Sequence, residues 1–451
     1  MKINIFCFFT IVFLSTHAAQ ASAELLAAAP TQLPGVERPM KAAGFWVSRH
    51  PAADKVVLTP AEIKEFNASV QKDLKLTKDI LQILAPFSGK ALKATLEKTL
   101  QDLQGKKYYA GPVKAEKNFF NEVRANMNLA AIPEEVQPQF GFVVRFADQR
   151  FLPTLQGLSE KPDDADFDEL QNSDLDVGTP VVILQHSADH KWYYVLSELL
   201  DGWVDAEQVA LARRPDIEDF FSAENFAVIT VAKADIFSDL EQTQYHDYVR
   251  MGVRLPIEQI FDNGVVEVRI PVRSSDGILS FEAGYIKEKD LHQGYLPYTP
   301  RHMIEQAFAL LYEPYGWGGM HGEQDCSRFL QEIFATVGIS LPRNSSQQAE
   351  VGRRLAQFNE KSTEEKRLEA LRSASGGITI LPMSGHIMLF LGMADGQPYA
   401  IHATWAYREK AGNEEITRVL NRVVVTDLSL GKGTSKGSLL ERLKSVVQVS
   451  Q

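Results

Sequence analysis

Cysteine is almost absent from this chain: among 451 residues only Cys7 and Cys326 carry a thiol. Two cysteines exclude a disulfide framework. His302, His321, His386 and His402 show no His-x-x-x-His spacing, and with no Cys-x-x-Cys pair either, no metal site is expected. Positive charge is also in short supply. With 47 Lys and Arg against 58 Asp and Glu, the net charge of -11 argues against nucleic acid or a polyanionic glycan as partner. Long apolar runs are missing too. The run from Ile3 to Leu14 falls short of the roughly 20 residues a membrane span needs. Lys2, that run and the small residues Ala21-Ser22-Ala23 read instead as an export signal cleaved after Ala23. Cys7 lies inside the run, away from a lipid-attachment position, and would leave with the signal. The mature chain is then expected to be exported, to have no membrane span, and to hold one thiol that has no internal disulfide partner. Such a thiol in an exported protein points to reactivity or to an intermolecular bridge.

What is present is a globular composition, 45% hydrophobic and 23% charged, and a length that suggests about three domains. The stretch Tyr315 to Ser327, Tyr-Gly-Trp-Gly-Gly-Met-His-Gly-Glu-Gln-Asp-Cys-Ser, delivers the remaining cysteine. Behind it Phe329, Leu330, Ile333, Phe334 and Val337 recur at helical spacing and Gly338 marks a stop, which places Cys326 in the first helical turn. Unpaired amides and the positive end of the helix dipole there favour the thiolate, the reactive form. The alternative is a structural role, since free cysteine is among the most buried residue types. The glycines are expected to let the chain pass close beneath a bound ligand. His321, in the same stretch, has no assigned role.

Upstream, residues 24 to about 57 are rich in Ala and Pro and read as a leader draped over another part of the chain. Thr59-Pro60-Ala61-Glu62 carries a capping box, and Leu92, Leu96, Leu100 and Leu103 form one face of a second helix starting at Ser88. From Gly141 the period becomes alternating. Val181–Leu184 and Trp192–Leu196 read as strands of a small barrel closed by Gly202-Trp203-Val204. A similar series ends in Gly284-Tyr285-Ile286, 82 residues later, which suggests a duplicated barrel. The acidic segment holding Asp163, Asp164, Asp166, Asp168 and Glu169 is expected to be a solvated loop unless it faces Cys326.

In the last third two strand candidates each carry a histidine: His386 before Ile387–Leu391, and His402 within Tyr399–Trp405. A thiol nucleophile needs an imidazole base, and that base needs a polar group to orient it. His386 is the candidate base and His402 the orienting residue. A tight turn at Asp395-Gly396 with regular pairing would set His386 against Trp405 and put the two rings on opposite faces. A shared site therefore predicts a longer loop or a bulge. The charged stretch from about residue 348 to Arg372 reads as helical.

Tyr315-x-Trp317-Gly318-Gly319, Asp325-Cys326-Ser327, Leu341-Pro342-Arg343-Asn344-Ser345, Gly385-His386 and His402 together closely resemble the NlpC/P60 family of papain-like cysteine peptidases, which cut peptidoglycan stem peptides. The resemblance covers residues 299 to 451, and the upstream barrels look like bacterial SH3-like domains. It implies a multidomain α+β chain: signal peptide 1–23, leader and helical stabilising region 24–138, SH3-like barrels 139–213 and 214–296, and a papain-like α+β peptidase domain 297–451. It implies Cys326, His386 and His402 as catalytic residues, and Tyr315, Asp325, Ser327, Arg343 and Ser345 as substrate contacts, with Tyr315 also near the oxyanion and Asp325 near a substrate ammonium. No cofactor is implied. The implied substrate is a stem peptide or turnover muropeptide cut at the γ-D-glutamyl bond to meso-diaminopimelate or L-lysine, in the periplasm or outside the cell. A wall-binding protein with a degenerate peptidase domain, and an acyl transferase using the same residues, are the competing readings.

Overall fold

The computed structural model describes residues 25–450, so the export-signal reading of residues 1–23 and Cys7 lie outside the described residues. β1 (Leu25–Ala28) opens them. α1 (Pro60–Lys72) starts as its capping box dictates: the Thr59 hydroxyl accepts from the Glu62 amide at 3.4 Å, and the Glu62 carboxylate accepts from the Thr59 amide at 2.7 Å. α2 (Gly89–Gln104) is capped by Ser88 and buries all four of its predicted leucines, and α3 (Lys117–Asn126) packs beside it. These helices serve two different cores. Leu33, Trp46, Ile63, Phe66 and Val70 from the leader and α1 join the core of the C-terminal domain, whereas the α2 leucines pack with Leu152, Trp192 and Trp203.

Two seven-stranded barrels follow. The first comprises β2 (Gln139–Val143), β3 (Ala147–Arg150), β4 (Gln171–Leu175), β5 (Pro180–His186), β6 (Trp192–Leu196), β7 (Asp201–Asp205) and β8 (Val209–Leu211), ordered β8-β2-β5-β6-β7-β3-β4. α4 (Arg214–Ser222) leads to β9 (Phe226–Ile229), β10 (Lys233–Phe237), β11 (Tyr245–Arg250), β12 (Arg254–Phe261), β13 (Val265–Arg273), β14 (Leu279–Lys287) and β15 (Leu291–Gln293), ordered β15-β9-β12-β13-β14-β10-β11. The two orders are the same topology, and the two Gly-aromatic-aliphatic steps both fall on the sixth strand. The echo in sequence thus marks equivalent positions in two barrels of one architecture.

The C-terminal domain contains α5 (Pro300–Ala309), α6 (Cys326–Ala335), β16 (Arg353–Gln357), α7 (Glu364–Arg372), β17 (Thr379–Met383), β18 (His386–Ala394), β19 (Gln397–Ala411), β20 (Glu414–Asp427) and β21 (Ser445–Gln448). Its sheet runs β1-β20-β19-β18-β17-β21-β16, with β1 added in parallel to β20. α6 packs on β18 and β19 through Phe329, Leu330, Ile333 and Phe334, all fully buried. The helical expectation for 348–372 holds only from Glu364. Before it, β16 pairs with β21 as an edge strand, where polar side chains carry no apolar period to announce a strand. No helix among the described residues is long and apolar enough to cross a membrane.

Candidate active site

Cys326 opens α6 with Asp325 as its N-cap, and the Asp325 carboxylate accepts from the amides of Ser327 at 3.0 Å and Arg328 at 2.8 Å. This cap overturns the expectation of a resting thiolate. The Ser327 and Arg328 amides serve the Asp325 carboxylate, whose charge opposes a second anion beside it. Burial, and then that carboxylate, push the Cys326 thiol up to about 12. The Ile387 amide reaches the sulfur from β18, which places the thiol against the strand that His386 begins.

The two histidines share a face because of a bulge. Asp395 and Gly396 both have positive φ and close a two-residue turn that pairs Ala394 with Gln397. Beyond it Gly392 faces Tyr399 but Phe390 faces Ala400, so Leu391 is the extra residue. One inserted residue reverses the alternation, bringing the rings to one side with His386 Nε2 2.7 Å from His402 Nδ1. The tight turn and the bulge are thus both present. His402 Nε2 lies 3.0 Å from the Thr426 hydroxyl on β20, a buried partner that the sequence reading missed. Nothing in its local sequence points there, since β20 meets β19 only through the sheet.

The implied substrate contacts divide. Arg343, 3% exposed, donates to both Asp325 oxygens at 3.2 and 2.6 Å, to the Ser327 hydroxyl at 3.0 Å, and to Ser173 of β4 at 2.9 Å. Arg343, Asp325 and Ser327 therefore form one buried knot that fixes the start of α6 to the first barrel. Tyr315 lines the cavity with His386 and His402, and burial followed by the charges of Asp325 and Cys326 holds its phenol well above its usual range. Ser345 lines a neighbouring cavity of about 220 Å³. The two cavities share Met383.

The glycine stretch packs on the barrels, so its glycines are required there by close approach within the chain. A Cβ on Gly319 would lie 2.1 Å from Asp174 Oδ2, and one on Gly322 2.2 Å from the Tyr248 hydroxyl; both residues have positive φ. His321 lines a separate cavity of about 610 Å³ together with Asp148 and Phe167. The acidic loop does face this domain, though not as free carboxylates. Asp168 is paired with Arg150 at 2.8 Å, while Asp166 accepts from the Trp405 indole at 2.8 Å. Phe167 sits edge-on between Trp317 and Trp405 and lines the histidine cavity. The aromatic in this loop was not singled out from the sequence, where the acids around it dominate the signal.

Burial, reinforced by the charge of Arg442, pushes His386 down to about 4. Burial, the His386 ring and Arg442 hold His402 well below its ordinary range. An unfolded histidine takes up its proton near 6.5. Below that pH the unfolded chain binds protons the folded site refuses, so the contribution to stability is complete above 6.5 and is lost as pH falls toward 4. The urea midpoint is expected to drop across this window. Replacing both histidines by Gln should flatten the drop, and an unchanged slope in that variant would refute the assignment.

Comparison with known proteins comes to the same region. Residues 312–409 match the model of the NlpC/P60 family and residues 153–205 that of the SH3 domain, SH3b1 type. An NlpC/P60 endopeptidase from Photobacterium damselae subsp. piscicida is similar over 94% of this chain and 97% of its own, with 21% identity and a TM-score of 0.72. An NlpC/P60 family protein from Bacillus cereus ATCC 10987 aligns over 62% of this chain and 83% of its own, with 17% identity and a TM-score of 0.43. At 21% identity the first likeness speaks to the fold. No curated protein matches. The C-terminal domain of this chain is thus similar to the NlpC/P60 family over residues 312–409, behind a segment similar over residues 153–205 to SH3 domains of the SH3b1 type.

Proposed function

We propose that the chain is an exported cysteine endopeptidase that hydrolyses the γ-D-glutamyl bond to the diamino acid of peptidoglycan stem peptides. The observations that carry this reading are the Cys326 sulfur at the Ile387 amide, one residue on from His386, and the side-chain contacts from His386 to His402 and from His402 to Thr426. With its Nε2 proton on Thr426, His402 offers Nδ1 to the Nε2 proton of His386. Nδ1 of His386 is then left as a free base.

The reaction starts from a neutral thiol and a neutral imidazole. As the sulfur attacks the amide carbonyl, its proton passes to His386 and a C–S bond forms. The oxyanion is received by the Cys326 amide and the Tyr315 hydroxyl, which its surroundings keep protonated and therefore able to donate. His386 returns the proton to the leaving amine as the C–N bond breaks. Water, deprotonated by the same imidazole, then cleaves the thioester and restores the thiol. Asp325 Oδ2, whose partner in the chain is Arg343, is the candidate to hold an N-terminal ammonium.

The placement of Phe167 and Asp166 against Trp405 supports a groove closed at one end by the first barrel. Such a groove suits free stem peptides with N-terminal L-Ala. The test is release of meso-diaminopimelate from L-Ala-γ-D-Glu-meso-diaminopimelate, read by mass spectrometry. N-acetylation of the alanine is expected to lower kcat/KM by about 100-fold, because it removes the charge that a buried carboxylate would receive. Equal rates on both peptides would overturn the closed groove, and absence of release from the free peptide would overturn the reading.

A further inference from the structure

The cavity beside His386 and His402 is about 300 Å³, within the range of small-ligand sites, and its lining includes Arg408, Lys436 and Arg442 but no carboxylate. Arg408 is engaged, with Glu415 at 3.3 Å and the Ser435 hydroxyl at 3.0 Å. Arg442 is different. It is half-buried, and among the described residues its guanidinium has no hydrogen-bond or ion-pair partner; burial lowers its pKa with no carboxylate close enough to offset that. A cation held partly out of water without an anion is a cost to the fold, and one that a ligand would relieve.

Its position is set by the sheet. Leu443 bridges to Met383 and the Lys444 amide donates to the Pro382 carbonyl at 2.9 Å, while Met383 pairs with His386 across the tight turn between β17 and β18. Arg442 is thereby fixed beside the turn that carries His386, and its charge is felt by both imidazoles. The Tyr407 hydroxyl, on the same cavity, also has no hydrogen-bond partner among the described residues.

We infer that this cavity is an anion subsite in which Arg442, with Lys436 at its mouth, binds a carboxylate carried by the substrate next to the bond that is cut. Planar pairing of a guanidinium with a carboxylate is the contact this geometry offers. The inference rests on the stem-peptide reading. In such a peptide two groups supply the chemistry: the α-carboxylate of the isoglutamyl residue and the carboxylates of the diamino acid.

The experiment compares kcat/KM of the full chain and its Arg442→Gln variant on three peptides: the free acid, the peptide amidated at the isoglutamyl α-carboxyl, and the peptide amidated at the diamino acid. Arg442→Gln is expected to lower the free-acid value by about 10- to 100-fold. On one amidated peptide it should have little effect, and that peptide identifies the source. An equal loss on all three peptides, or no loss on any, overturns the subsite while leaving the hydrolytic reading intact. Should the unmodified chain cut none of them, that reading falls. Calorimetry of Cys326→Ala with L-Ala-γ-D-Glu and with meso-diaminopimelate then decides the subsite. Binding of either that weakens by about tenfold or more on adding Arg442→Gln supports it, and binding that does not weaken, or is absent, overturns it.

Discussion

Cys326→Ala is expected to abolish release of the diamino acid from L-Ala-γ-D-Glu-meso-diaminopimelate, a loss of at least about 10⁴-fold in kcat. In the proposed reaction the sulfur is the atom that forms the covalent bond, and no other described residue presents a thiol. The substitution leaves the fold in place. Asp325 caps α6 through the Ser327 and Arg328 amides, and the helix is held by Phe329, Leu330, Ile333 and Phe334, so removal of one small side chain at its edge disturbs neither. His386→Ala should lose a similar factor, and the double variant little more, because the two residues act in one proton transfer and their effects do not add. Unimpaired turnover by Cys326→Ala would sink the assignment of the nucleophile. Independent, multiplying losses in the double variant would sink the shared step.

Arg250→Met should be the most destabilising single change away from the site. Arg250 at the end of β11 is fully buried and donates to Asp174 at 2.6 Å and Asp176 at 2.8 Å, with Glu332 of α6 at 3.6 Å. Arg328 pairs with the same Asp174 and Asp176. Two cations therefore serve three carboxylates where both barrels meet the helix that begins with Cys326. The balance is already tight: burial pushes Glu332 up to about 7 despite both arginines, whereas their proximity holds Asp176 at about 2. Removing Arg250 leaves buried negative charge with half its compensation, a loss of about 3–5 kcal/mol out of the 5–15 typical of a folded domain. A thermal midpoint within error of the parent would refute this. The paired variant Arg250→Met with Asp174→Leu, which removes charge of both signs, should recover part of the loss.

The α2 leucines, the Thr59 capping box and the helix behind Cys326 were legible because each is a local pattern of spacing and capping. So were the histidine strands, and the need for either a longer loop or a bulge, because a tight turn with regular alternation puts the two rings on opposite faces. β16 was not legible, since an edge strand buries too little to carry a period. The state of the thiol was misread for a related reason: a helix N-terminus favours an anion only if no other anion has taken it, and Asp325 lies one residue away with its carboxylate turned back onto the amides.

By itself, then, the sequence determined the candidate residues for the proposed chemistry and the order in which they come: a lone thiol at a helix start, two histidines on neighbouring strands, and two barrels before them. Only the tertiary structure decided how those groups are used. Leu391 as the inserted residue, Thr426 as the last member of the relay, Arg343 as the tie between barrel and helix, and Phe167 at the mouth of the cavity are contacts between residues far apart in the chain. Spacing along a sequence reports the faces of single elements, whereas charge compensation and burial, which set the proton positions here, depend on what the other elements bring to those faces.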